Sequence, residues 1–251
     1  MTATATTSTA PARRSALERA TAMRLAATEY DRFLRQLRQL QPADWTKPTD
    51  CAGWDVRALV GHVVGMTEMS ASLPEQLKQM RAAGKAGGEF IDALTALQVA
   101  KHGSDSPAQL VARYAVVGPK AAKGRRRTPG FVRSRTLPMP QTVGASREAW
   151  TFGFLIDVIL TRDTWMHRVD VARATGLDVE LTGEHDGVLV ADVVTEWAGR
   201  HGRPCTVRLN GPAGGRWEFG TGGSEVSEDA VAFCRGVSGR GEPALGTVVP
   251  F

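Results

Sequence analysis

Over the first 175 residues the apolar positions recur at helical spacing. Leu17, Met23, Leu25, Phe33, Leu34, Leu37 and Leu40, set among Arg, Glu and Gln, predict a helix from Ala16 to about Leu40. The stretch "QPADWTKPTDCAGW" then breaks the pattern, because Pro42, Pro48 and Gly53 enforce a structured loop. A second helix is predicted from Asp55 to Ala71, with Asp55 at the positive end of its dipole. Further helices are expected over Pro74 to Ala83, over Phe90 to Lys101, and from Ser106-Pro107 to Gly118-Pro119. A long helix then runs from about Arg147 to Thr175, with Gly176 as its stop.

Beyond Gly176 the period changes. "HDGVLVADVVTEWAGRHG" reads as one more helix, and "CTVRLNG" and "GRWEFGTG" alternate as short strands around a Gly-Pro turn. In "VSEDAVAFCRGVSGR", Ser227 is the N-cap candidate of a last helix that Gly239 closes. The expected organisation is a tail at 1–14, a helical domain over 15–176 and a small α+β domain over 177–251.

Composition narrows the classes. A chain of 251 residues with 42% hydrophobic and 23% charged residues is that of a soluble globular protein. No run approaches the ~18 apolar residues of a membrane span, so no membrane partner is expected. The first fourteen residues lack the apolar core of a secretory signal. A frayed tail or over-extended start is the reading there, with a transit peptide as the alternative. Cys51, Cys205 and Cys234 are odd in number and form no CxxC pair, which points to a reducing cytoplasm. The net charge of +5 is concentrated in "KAAKGRRRTPGFVRSR", residues 120–135. With Gly, Pro and a single aromatic, this reads as a solvated basic loop, or secondarily as a lure for an anionic small molecule. It does not read as a nucleic-acid surface.

The chemistry concentrates in the long helix. At ~100° per residue, Phe152, Ile156, Ile159, Leu160, Asp163, His167 and Asp170 share one arc. A solvated i,i+4 pair has no reason to lie on an apolar face, and a buried carboxylate and imidazole demand partners. Two readings stand: an Asp–His pair that satisfies itself in the core, or two ligands of a metal. The third ligand would come from the second helix, where His62 lies at the edge of the stripe of Val56, Leu59, Val60, Val63 and Met66. The other histidines compete poorly: His102 adjoins Gly103 in a loop, and His185 and His201 lie near helix ends of the second domain. Two His and one acid on facing helices make a three-ligand site with open positions. Zn²⁺ acting on water or a thiol suits it first, with nickel or ferrous iron as other fits. Asp170 is then an outer partner that holds an imidazole by its other nitrogen.

At these residues "DWTKPTDCAGWDVRALVGHVVG" resembles the opening signature of the mycothiol-dependent maleylpyruvate isomerase family, within the DinB-like metal-binding superfamily. Trp45, Pro48, Thr49, Cys51, Gly53, Trp54, Val56, Arg57 and His62 fall in register with it. Asp163, His167 and Asp170 meet its second signature, with Asp163 where the characterised isomerase has Glu. The C-terminal "VRLNGPAGGRWEFGTG" and "DAVAFCRGVSGR" are similar to the family's small second domain. The resemblance implies a DinB-like four-helix bundle followed by a small α+β, sterol-carrier-like domain. It implies a divalent metal, usually zinc, on His62, Asp163 and His167, with mycothiol as the thiol cofactor.

The implied chemistry is addition of the thiolate to a conjugated carbonyl compound, bond rotation and expulsion of the thiol, which is isomerisation. Release of the adduct instead is S-transfer. Arg235 and Arg240 are candidates for binding an anionic substrate, against the alternative of ordinary charge at a helix C-terminus. The partners expected are a small-molecule substrate and the thiol, on a monomer or weak homodimer. Two other functions remain open: a non-catalytic ligand binder with a structural metal, and a metal-dependent hydrolase.

Overall fold

The structure, a computed structural model, describes residues 11–251. It is a helical bundle accompanied by a small α+β region, and its chain divides into two compact units. The first unit takes in residues 19–129 and 163–179; the second takes in 130–162, 180–251 and the described residues before Arg19.

Unit one is built from α1 (Arg19–Leu37), α2 (Val56–Ala71), α3 (Leu73–Ala86), α4 (Phe90–His102), α5 (Pro107–Arg127) and most of α8 (Leu160–Thr175). Capping residues set the helix starts. The Asp55 carboxylate accepts from the Ala58 amide at 2.8 Å and opens α2, and Ser106 and Gln109 form a capping box around Pro107 at the head of α5. Leu25, Phe33 and Leu37 of α1, Leu59, Val60 and Val63 of α2, and Leu110 and Tyr114 of α5 are buried. Tyr114 meets Phe33 edge-on at 5.3 Å between ring centroids. Trp165, Met166 and Val169 of α8 are buried as well, and Gly176, at φ 79°, ends that helix in the left-handed conformation.

Helix α5 departs from expectation. It does not stop at Gly118-Pro119 but continues through Pro119 to Arg127. Pro119 costs the helix one backbone hydrogen bond, and packing on both sides of it offsets that loss. Leu110, Tyr114, Gly118, Ala121 and Arg125 form one buried face, at spacings of three and four. The solvated basic loop at 120–135 is therefore incorrect: its first eight residues are helical, and Gly130–Arg133 forms the short helix α6. Arg125 is buried and donates to the Tyr30 hydroxyl at 3.2 Å, and Arg133 is buried against Asp157. His102, expected in a loop, is the buried last residue of α4. Its Nδ1 lies 2.7 Å from Asp105 and its Nε2 3.3 Å from Glu68.

Unit two contains the hairpin β1 (Gln141–Val143) and β2 (Ser146–Glu148), the short helix α7 (Phe152–Phe154), a π-helical turn over Leu155–Ile159, and α9 (Val188–His201). A three-stranded sheet follows in the order β4-β3-β5. β3 (Cys205–Asn210) is antiparallel to β4 (Gly215–Phe219) and parallel to β5 (Ser224–Asp229), and α10 (Ala230–Arg235) comes next. Trp197 of α9 packs edge-on against Phe233 at 5.3 Å. Arg162, buried, is held by Asp192 at 2.6 Å and Glu196 at 2.7 Å.

Several sequence expectations are corrected here. The long helix begins near Phe152 rather than Arg147, because 146–148 pair as a strand and Thr151 supplies the cap. Ser227 lies within β5, and Asp229 is the true cap of the last helix, accepting from Val231 and Ala232. A single cut at residue 176 does not match the compact units. Val143, Trp150, Phe154, Val158 and Ile159 bury themselves with Leu17, Leu137 and Val248, which draws 130–162 together with the C-terminal segment. Of the tail expected at 1–14, residues 1–10 lie outside the described residues. Arg13 is paired: its amide donates to Ala149 at 2.8 Å and its carbonyl accepts from Thr151 at 3.0 Å.

α5 meets α2 so closely that a Cβ at Gly124 would stand 2.6 Å from the Ser70 carbonyl oxygen, whereas one at Gly84 in α3 meets nothing within 4 Å. Gly84→Ala is expected to raise stability by about 0.5–1 kcal/mol, and Gly124→Ala to lower it. Thermal melts of the two variants beside the wild type check both signs.

Glu68 of α2 is buried among Lys101, His102 and Arg113. Burial pushes its carboxyl up, but hydrogen bonds from His102, Lys101 and Arg113 prevail and hold it at about 2, against an ordinary 4.5. His102 is pushed down by burial and raised further by Glu68 and Asp105, for a net rise above 6.5. The Glu68 contribution is present above pH 4.5 and fades as pH falls towards about 2. That of His102 is complete below 6.5 and fades as pH rises through its elevated value. The stability lost in Glu68→Gln should therefore be greatest between about pH 4.5 and 6.5, as read from urea midpoints across pH.

Candidate metal centre

The site is assembled within unit one from α2, α8 and the loop that leads into α2. That loop closes on itself. The Thr49 amide and hydroxyl both donate to the Trp54 carbonyl at 3.0 Å, and the Trp54 amide donates to Cys51 at the same distance. The turn delivers Cys51 and Trp54 to the start of α2, two turns before His62.

His62, Asp163 and His167 come together as their spacing suggested. One ligand atom from each lies within 4.8 Å of the others. His62 Nε2 stands 3.7 Å from one Asp163 oxygen, and His167 Nε2 stands 3.6 Å from the other. These separations exceed hydrogen-bond lengths. Donor atoms sharing a tetrahedral cation at 2.0–2.1 Å stand about 3.4 Å apart, close to what is seen. Both imidazoles are buried, while the Asp163 side chain is 20% exposed, so the cluster opens to solvent at the carboxylate. Neither nitrogen of His62 has a hydrogen-bond partner among the described residues; Nδ1 is fully enclosed and Nε2 faces Asp163 only at the longer distance. A buried imidazole left this way is costly on its own and fits a divalent cation that takes up its lone pair.

His167 is held differently. Its Nδ1 lies 3.1 Å from Asp170, whose side chain has no exposure, and this hydrogen bond turns Nε2 towards Asp163. Asp170 thus stands where an outer partner of a ligand histidine was expected. Trp54 lies against both rings, 5.3 Å from His62 and 6.3 Å from His167 between centroids, and the two imidazoles meet edge-on at 5.2 Å. The place of Cys51 was not legible beforehand: its Sγ is 3.5 Å from Asp170 and 3.8 Å from His167 Nδ1.

The model of the family described as mycothiol maleylpyruvate isomerase N-terminal domain matches residues 26–172, more than half of the chain. The chain belongs to this family. Cys51, Trp54, His62, Asp163, His167 and Asp170 all fall inside the matched span. A crystal structure of the mycothiol-dependent maleylpyruvate isomerase is similar, with 18% identity, 90% of each chain covered and a TM-score of 0.59. A variant of that isomerase with a histidine changed to alanine gives 17%, 90% of each chain and 0.58. At these identities the likeness is one of fold. A search of curated proteins finds no match. No helix among the described residues is long and apolar enough to cross a membrane.

Arg235 and Arg240 belong to unit two and lie outside the family match, Arg235 as the last residue of α10 and Arg240 at the end of the π-helical turn after it. Arg240 donates to the Ser238 hydroxyl at 3.3 Å.

Asp170→Ala removes the acceptor of the His167 Nδ1 proton. It is expected to weaken divalent-metal binding 10- to 100-fold, measured by competition with a chromophoric chelator.

Proposed function

We propose that this member of the family is a metal-dependent enzyme that uses a low-molecular-weight thiol, mycothiol, on a small electrophilic substrate, by isomerisation or S-transfer in the manner of a maleylpyruvate isomerase. The observation that carries this is the convergence of His62, Asp163 and His167, with a buried imidazole that has no hydrogen-bond partner among the described residues.

Those three side chains would hold the cation, zinc first. When bound, such a cation favours the thiolate form of a thiol and so supplies a nucleophile at neutral pH. The chain's own residues prepare the place. Asp163 contributes the negative charge and, partly exposed, the open side through which a thiol and substrate reach the cluster. Asp170 keeps the proton of His167 on Nδ1 and leaves Nε2 as the donor. Trp54 covers the two imidazoles and limits water around them. Arg235 and Arg240 are proposed to bind an anionic substrate. The three free cysteines accord with action in the cytoplasm. The shorter Asp163 in place of Glu keeps the donor type, so Asp163→Glu is expected to retain metal.

Metal content of the purified protein by mass spectrometry is the first test: one equivalent in the wild type, little in His62→Ala or Asp163→Ala. Calorimetric titration with mycothiol is the second. Binding is expected to the zinc-loaded protein and to be lost, at least 100-fold, in the metal-free protein and in Asp163→Ala. A wild type without metal, or mycothiol binding indifferent to it, sinks the proposal. Turnover of an electrophilic substrate without mycothiol would instead indicate a hydrolase.

A further inference from the structure

We propose that Cys51, His167 and Asp170 form a second cation site, selective for thiophilic metals, which shares the His167 imidazole with the first through its other nitrogen. The three donor atoms are Cys51 Sγ, His167 Nδ1 and Asp170 Oδ2. Their separations are 3.8 Å from sulfur to nitrogen, 3.5 Å from sulfur to oxygen and 3.1 Å from nitrogen to oxygen. Around a tetrahedral ion with metal–sulfur bonds near 2.3 Å and metal–nitrogen or metal–oxygen bonds near 2.0–2.1 Å, the same pairs stand about 3.4–3.6 Å apart. The triad therefore needs shifts of a few tenths of an ångström to close on an ion.

The donor set decides the metal. A thiolate beside an imidazole and one carboxylate prefers soft or borderline cations such as cadmium, copper(I) or zinc over magnesium or calcium. Cys51 is half-exposed on its loop and Asp170 is fully buried, so an ion enters from the sulfur side. On binding, the thiol proton leaves to solvent as the sulfur–metal bond forms. With the first site filled, the Nδ1 proton of His167 leaves too, and its hydrogen bond to Asp170 is exchanged for two bonds to the ion. The orienting contact on His167 is then lost, so occupancy of the second site weakens the first. An excess of a thiophilic metal should act as an inhibitor.

The second site shares only His167 with the site proposed above, and the two can fail separately. Cadmium is titrated into the wild type, His62→Ala and Cys51→Ala, with ultraviolet thiolate-to-cadmium charge-transfer absorption and stoichiometry as readouts. The wild type should take a second equivalent that brings the absorption band. His62→Ala should lose the first equivalent and keep the band. Cys51→Ala should keep the first equivalent and lose the band, and Cys51→Ser, closest in shape, should weaken the second equivalent at least tenfold. No band in the wild type, or a band that persists in Cys51→Ala, overturns the second site. Unchanged stoichiometry in His62→Ala counts against the first site alone.

Discussion

A buried arginine fixes the rotation of helix α8, and the candidate centre depends on that rotation. Arg168 Nε donates to Glu29 of α1 at 2.7 Å, and the two side chains are 2% and 1% exposed. Two turns of α1 further on, Gln36 donates to the Arg168 carbonyl at 2.9 Å. Removing either charge would leave the other stranded at a cost of about 3–5 kcal/mol, so the helix has little freedom to roll. Successive residues on a helix point about 100° apart. With Arg168 committed to α1, His167 and Asp163 turn to α2, where His62 waits.

The two histidines of the cluster are oriented by different forces. His167 is set by a hydrogen bond to a buried carboxylate, a directional contact that also chooses its tautomer. His62 has no such partner among the described residues and is placed by packing against the Trp54 and His167 rings. The loop from Thr49 to Trp54 thus serves both: it brings an indole to one imidazole and a thiol to the carboxylate behind the other. A short turn stapled by three hydrogen bonds is a rigid support for such a task.

Much of this was legible from residue order. Asp55 and Ser106 capped the helices they were expected to open, and the i,i+4 spacing of Asp163 and His167 pointed, with His62, to the three side chains that converge. Buried faces follow residue order less closely. Phe152 and Ile156 shared a calculated arc with Asp163, yet both are only half-buried, because the π-helical turn at 155–159 adds a residue and shifts the register. α8 is also not one-sided: from Leu160 to Ala172 every residue except Asp163 is buried. Its charged side chains are satisfied by partners distant in sequence, such as Glu29 for Arg168.

Local chemistry in the sequence by itself determined where α2 and α5 start, the strand pair β3–β4 and the family. These depend on side chains a few residues apart, through caps, alternation and helical spacing. Tertiary structure alone decided that α5 runs through Pro119, that 130–162 folds with the C-terminal segment, and that Cys51 stands behind His167. Each of those outcomes rests on contacts between residues far apart in the chain, whose packing energy outweighs local preference.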